Sequence, residues 1–233
     1  AVEIDALAAE ARSLGAGTIV GAGGGKCLDA ARAAAAAVGR PFVSCPTVAS
    51  TDAPTSALSV VYTPAGAVES YRIHGRNPEL VLVDSGVIVR APARYLVAGM
   101  GDALSTWYEA RAAAASGRPN MRGGAAAEGS LALARLCRDT VLADGVAAVA
   151  DARAGRVTPA VERIIEANTL LSGLGFESGG LAAAHAVHNG LAALPGTQAA
   201  LHGEKVAFGT LVQLELDGTP AEEFAALVRF CRA

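Results

Sequence analysis

The segment Gly21-Ala22-Gly23-Gly24-Gly25-Lys26 sits between a short apolar run, Thr18-Ile19-Val20, and an Ala-rich stretch from Leu28 to Val38 that closes at Gly39. Pro41-Phe42-Val43-Ser44-Cys45 follows with strand character. Strand, glycine turn, helix and strand make a βαβ unit, and its two strands must run parallel. Glycines behind a strand let the backbone come close to a ligand. A helix starting there aims free N–H groups and the positive end of its dipole at a pyrophosphate, with Lys26 adding charge. The spacing is neither the GxGxxG of a standard dinucleotide turn nor a P-loop, since Lys26 precedes Cys27. A plain tight turn therefore remains open as a reading.

Ile4 to Leu14 reads as a helix ahead of this unit, and Thr47 to Thr55 as a polar loop after it. Ala57 to Tyr62 and Val68 to Ile73 are predicted as a strand pair turning at Pro64-Ala65-Gly66. Leu80 to Asp84 reads as a parallel strand buried on both faces. After Pro92 the pattern becomes helical: Tyr95 to Ala115, Ala125 to Asp144, Pro159 to Leu174, Gly180 to Leu194, His202 to Leu216 and Pro220 to Ala233. This predicts an α/β part over 1–91 and an all-helical part over 92–233. Ala33 to Ala37 and Ala112 to Ala115 are helical Ala runs, not disordered tracts.

Hydrophobic residues make up 52% of the 233, aromatics only 4%, and Gly and Ala abound, which suits closely packed helices. A formal charge of −3 with scattered basic residues argues against a nucleic-acid partner. No apolar run is long enough to span a membrane without a charge or glycine interrupting it. Ala1 to Arg12 carries Glu3, Asp5 and Glu10, which is no secretory leader. Cys27, Cys45, Cys137 and Cys231 form no CxxC pair. Each is expected to be a small buried hydrophobe in a reduced, cytoplasmic setting. A first residue other than Met, and a last one inside an apparent helix, predict a fragment of a longer protein.

Two other groups of residues carry chemistry. The loop with Thr47, Ser50, Thr51, Asp52, Thr55 and Ser56 follows a parallel strand, at the carboxyl end where α/β sheets bind ligands. Its hydroxyls suit phosphate or ribose and Asp52 suits a polyol, although an ordinary turn explains the composition too. Three of the four histidines lie between His185 and His202. His185 and His188 share a helix face, and His202 opens the next helix. An imidazole pair needs an oxygen ligand to hold a catalytic zinc, and Asp102, in Gly99-Met100-Gly101-Asp102-Ala103-Leu104, is the best candidate. Structural histidines and a capping aspartate are the plainer alternative. Trp107, Tyr108 and Tyr95 read as core or interface. Glu177 reads as a carboxylate behind the metal or a cap, and His74 as surface loop.

These strings resemble the glycerol dehydrogenases of the iron-containing alcohol dehydrogenase family. The likeness rests on Gly23-Gly24-Gly25-Lys26, on Pro46 through Pro54, on Ala98 through Leu104, on Gly175 through Gly190 and on His202 through Ala207. It implies a dehydroquinate synthase-like fold, with a partial dinucleotide-binding domain over 1–91 and a helical metal and substrate domain over 92–233. It implies that Asp102, His185 and His202 hold the metal. It places Gly24, Gly25, Lys26, Cys27, Leu28 and Asp29 under the pyrophosphate, and Thr47, Ser50, Ser56, Leu58 and Tyr62 around the nicotinamide. Asp52 matches a polyol contact, and His188 a position near nicotinamide and substrate. Many iron-dependent relatives carry another histidine four residues after the aspartate. Thr106 stands there in this chain, which favours zinc. Relatives also begin with further strands, including an acidic residue for the adenosine ribose, and end with further helices.

The implied activity is NAD-dependent oxidation of glycerol to dihydroxyacetone, with zinc as Lewis acid and Asp52 or His188 relaying the proton. The implied assembly is a homo-oligomer. A nucleotide-binding paralogue without catalysis, another polyol or alcohol dehydrogenase of the family, and dehydroquinate synthase-like chemistry are the alternatives.

Overall fold

The computed structural model describes residues 2–63 and 68–233. Helix α1 (Val2–Ser13) leads to β1 (Ile19–Gly23), α2 (Gly25–Val38) and β2 (Phe42–Pro46). Strands β3 (Leu58–Tyr62), β4 (Val68–Ile73) and β5 (Leu80–Val81) follow. From there the described elements are helices: α3 (Ser85–Ile88), α4 (Ala93–Ala115), α5 (Glu128–Arg153), α6 (Pro159–Glu166), a π-turn (Ala167–Leu171), α7 (Ser172–Gly179), α8 (Ala183–Ala192), α9 (His202–Leu216) and α10 (Ala221–Arg232). None of them is long and apolar enough to cross a membrane.

The βαβ expectation holds. β1, β2 and β5 form a parallel sheet in that order, with Gly21 beside Ser44 and Val43 beside Leu80. α2 lies on one face, where a side chain on Gly21 would collide with Ala31 and Phe42. This close helix–strand contact is what that glycine permits. α1 packs Ile4 and Ala8 against Ala33, Ala34 and Val61. The opposite face differs from expectation. Val20, Leu80 and Leu82 are 59%, 51% and 58% exposed, because α2 covers only one side of the sheet. β5 is also shorter than predicted, since Asp84 turns away to cap α3 by accepting from Val87 N. β3 and β4 pair antiparallel in a separate ribbon, and the predicted Pro64-Ala65-Gly66 turn lies outside the described residues.

The helical part is built around α4, which packs against α5, α7 and α9. Leu104 and Tyr108 of α4 meet Cys137, Val141, Ile164, Ile165 and Leu214 in the main core. Tyr108 is buried as expected, and Trp107 packs at the core margin. α5 runs past its predicted stop because Gly145 is a packing notch, filled by Phe230 and Met100. The stretch predicted as one helix from Pro159 is interrupted by the π-turn, a feature with no hydrophobic-period signature. The turn drives Asn168 inward, where Nδ2 donates to Ala49 O (2.9 Å) and Leu96 O (3.1 Å). Of the cysteines only Cys137 is buried. Cys45 is half-buried, while Cys27 and Cys231 sit exposed in terminal helical turns, against expectation.

The glycines of α4 and α9 set how closely these helices cross. A Cβ on Gly203 would fall inside the van der Waals shell of Ala98 O, and one on Gly99 inside that of Ala49 O. Both obstacles are backbone and cannot rotate away. Gly203→Ala is therefore expected to cost about 3 kcal/mol, the upper end of typical overpacking penalties. Urea unfolding checks this, and an unchanged midpoint would contradict the described crossing.

Candidate active site

A cavity of about 930 Å³ opens between the glycine turn, the Ser50–Leu58 loop, the β3–β4 ribbon and the first turns of α8 and α9. That volume suits an extended small-molecule ligand. One end is the start of α2. Gly24 is its N-cap, with extended backbone and no side-chain cap, and Cys27 N–H turns back to Gly24 O (2.9 Å), so the N–H groups of Gly25 and Lys26 are the ones left for a ligand. A side chain on Gly24 would press on Val48 Cγ2, and one on Gly23 would overlap Cys27. Lys26 Nζ lies 4.7 Å from the ring centre of Tyr62 on β3. The turn thus fits a bound pyrophosphate on its backbone and charge.

The other end is a cluster from three helices. Asp102 projects from the third turn of α4, is 1% exposed, and is no N-cap. Its Oδ1 lies 3.2 Å from His202 Nε2 and 3.5 Å from His185 Nε2. One ligand atom from each of the three residues lies within 4.8 Å of the others. Donors about 2.1 Å from a tetrahedral zinc lie roughly 3.4 Å apart. Both nitrogen–oxygen spacings match that edge, so one carboxylate and two imidazoles fit a zinc site that leaves a position for another ligand.

Electrostatics tie the cluster together. Burial disfavours an ionised Asp102, but the charge of His202 and hydrogen bonds from His185 and His202 outweigh it and hold the carboxyl far below its usual range. Burial, and then the neighbouring Asp102 carboxylate, push the Asp52 carboxyl well upward. Asp52 N donates to Asp102 Oδ2 (3.3 Å), and Ser172 Oγ donates to Asp52 Oδ2 (3.4 Å). His185 is opposed by burial yet pushed upward by Glu109 and Asp102. The ring of His188 lies 4.2 Å from that of His202 and pairs through Nδ1 with Asn189 Oδ1 (3.1 Å). Burial, followed by the charges of His202 and His185, lowers its pKa to about 4.

Most of the expected residues meet at this cavity. Gly24, Gly25, Lys26, Cys27 and Asp29 line one end, and Ser50, Asp52, Ser56, Leu58 and Tyr62 the middle. His185, His188 and His202 line the far end, with Asp102 behind them. Two expected cofactor positions are not in the lining. Leu28 is 1% exposed and faces the core side of α2. Thr47 lies outside the wall and ties its N–H to Gly23 O (3.0 Å). Tyr95, expected in core or interface, is partly exposed and lines the cavity. Glu177 is not behind the metal ligands: it accepts from Ala57 N (2.9 Å) and Asn77 Nδ2 (2.8 Å), bracing the start of β3. His74 is half-buried and pairs with Ser59 Oγ (3.0 Å). Thr106 is buried against Ser172 and stands outside the ligand group.

The sequence reading missed two groups. Arg32 on α2 pairs with Asp29 (2.8 Å), donates to Leu58 O (2.5 Å) and to Ala53 O, and so pins the cavity loop. Burial raises the pKa of Asp29 to about 6 against the pull of Arg32. Glu109, fully buried, receives His185 Nδ1 at 2.6 Å. Its signal was present: a second carboxylate seven residues after Asp102, on the same side of an Ala-rich helix.

The family model described as Iron-containing alcohol dehydrogenase matches residues 1–85. A glycerol dehydrogenase of Citrobacter freundii is 54% identical over 99% of this chain and 63% of its own length. The chain is homologous to the glycerol dehydrogenases of the iron-containing alcohol dehydrogenase family. One from Thermotoga maritima is 55% identical over 91% of this chain and 58% of its own. A crystal structure of a probable glycerol dehydrogenase from Sinorhizobium meliloti 1021 superposes with a TM-score of 0.96 at 50% identity, over 99% of this chain and 65% of that one. The chain thus spans somewhat less than two thirds of these relatives, and its α/β and helical arrangement matches that solved structure.

His188 supplies a pH test. Its folded pKa is depressed from 6.5 to about 4. The stability it contributes is therefore present above pH 6.5 and lost as pH falls through about 4. Asp29, raised from 3.8 to about 6, acts with the opposite sign, its contribution lost as pH rises. Comparing variants isolates the histidine. Metal-free protein is expected to lose more stability between pH 6.5 and 4 than metal-free His188→Gln, by urea midpoint. Parallel curves would contradict the buried neutral imidazole.

Proposed function

We propose that this chain is part of an NAD-linked polyol dehydrogenase that oxidises glycerol to dihydroxyacetone at a zinc ion. The observation that carries the reading is the convergence of Asp102, His185 and His202 on the wall of a cavity whose other end is the Gly24–Lys26 turn. The homology supports the same reaction class.

Asp102, His185 and His202 hold the zinc, and the start of α2 with Lys26 holds the pyrophosphate. When bound, zinc supplies Lewis acidity that favours ionisation of a substrate hydroxyl, and NAD accepts the hydride. The protein supplies placement. Ser50, Ser56, Leu58 and Tyr62 line the stretch between the two ends, where a nicotinamide must lie to meet a substrate at the cluster. Asp52 and His188 flank the cluster. Asp52 already accepts a hydroxyl hydrogen bond from Ser172, the contact a polyol would make. His188 keeps one ring nitrogen on Asn189 and has the other for a substrate hydroxyl or a departing proton. The apolar lining from Val60, Leu181 and Phe176 limits water beside the hydride path.

The test pairs metal analysis with glycerol-dependent NAD reduction. One zinc per chain is expected in the purified protein. Asp102→Ala is expected to lose the zinc and to lower turnover by roughly a thousandfold or more, as removal of a Lewis acid worth several kcal/mol requires. Normal turnover in that variant would overturn the reading. Folded protein that takes up nucleotide but neither metal nor glycerol would favour a nucleotide-binding module instead.

A further inference from the structure

Glu109 is an unusual residue for its place: a carboxylate with no solvent exposure, inside an Ala-rich helix. A buried carboxylate is costly unless its oxygens are fully engaged. Here Ser105 Oγ of α4 donates to Oε2 at 3.5 Å, and the other contacts come from one short segment. Oε1 accepts from Ala182 N and His185 N, each at 2.9 Å, and Oε2 meets His185 Nδ1 at 2.6 Å. α8 has no side-chain cap of its own, so α4 supplies one across the helix packing. Three contacts fix the position of His185: its backbone, the start of its helix, and its ring.

The ring contact has a consequence the backbone contacts lack. An ionised carboxylate only accepts, so it requires a proton on Nδ1. The other nitrogen, Nε2, is the one 3.5 Å from Asp102 Oδ1. A metal ligand must present an unprotonated nitrogen. Asp102 and Glu109 lie two helical turns apart on α4, one at each edge of the His185 ring. A bound dication is then opposed by two buried carboxylates, one touching it and one acting through the imidazole.

We infer that Glu109 is a positioning residue for the metal site, setting the tautomer and orientation in which His185 binds zinc. The inference rests on the zinc reading of Asp102, His185 and His202. Glu109 touches no substrate or cofactor, and a purely structural role would need only its two backbone acceptances.

Glu109→Gln separates the two roles. The amide oxygen still accepts from Ala182 and His185 N–H, while the amide nitrogen presents a donor to Nδ1 and favours the wrong tautomer. Gln213→Leu is the control: Gln213 Oε1 accepts from Ala184 N (3.0 Å), so its loss weakens the same helix start without touching the His185 ring. The readout is zinc affinity of the purified protein by chelator competition, with thermal unfolding followed alongside. Glu109→Gln is expected to weaken zinc binding about 10- to 100-fold, the usual effect of losing such a partner. Gln213→Leu is expected to lower the unfolding temperature while zinc affinity stays close to that of the parent. In a His185→Ala background, Glu109→Gln is expected to cause no further loss. Unchanged affinity in Glu109→Gln, or an equal loss in Gln213→Leu, overturns the positioning role and leaves the zinc site standing. Failure of the parent protein to bind zinc overturns the zinc reading and this inference with it. Should the Gln variant not fold, Glu109→Asp keeps the charge at one methylene less reach. A loss of tenfold or so is expected there too, and parent-like affinity would contradict the role.

Discussion

The carboxylate of Asp102 is the interaction on which the arrangement depends. It is buried inside a long helix, where an ionised group survives only with close partners. Those partners come from elsewhere in the chain: His185 on α8, His202 at the start of α9, and the backbone N–H of Asp52 from the loop after β2. Satisfying one charge therefore draws two helices and the cavity loop to a single point. Removing both imidazoles would leave the charge uncompensated in the protein interior, which typically costs several kcal/mol.

Close packing makes that convergence possible. α4 and α9 approach so nearly that Gly203 leaves no room for a methyl group beside Ala98 O, and Gly209 lies similarly against Ala184 O of α8. The scarcity of aromatics and the abundance of small residues has its cause here. The same economy joins the strand-bearing and helical parts. Asn168 ties Ala49 to Leu96, Glu177 ties Ala57 to α7, and Arg32 pins Ala53 and Leu58 to α2. The residues lining the cavity are thereby held from both sides.

Much of this was legible in the residues alone, where a local pattern carries the information. The βαβ unit followed from a strand, a glycine turn and an Ala-rich helix, and α9 was read to its last residue from apolar period and flanking turns. That Asp102, His185 and His202 could come together was legible because three histidines cluster and an aspartate sits among small residues. What stayed hidden depends on packing between distant segments. The π-turn and the run of α5 through Gly145 follow from what lies across the interface, Ala49 and Leu96 in one case and Phe230 in the other. Leu28 faces the core because of the helix phase of α2, which motif matching ignores. Glu109 and Arg32 looked like ordinary helical charges until their partners, 76 and 26 residues away, were placed beside them.

Anomalous diffraction at the zinc edge, from crystals of the protein grown with zinc, tests the central claim most directly. The account predicts one strong peak per chain, bonded to an Asp102 carboxylate oxygen and to Nε2 of both His185 and His202. A peak at other residues, or well-ordered density with those three side chains directed apart and no peak between them, would contradict it.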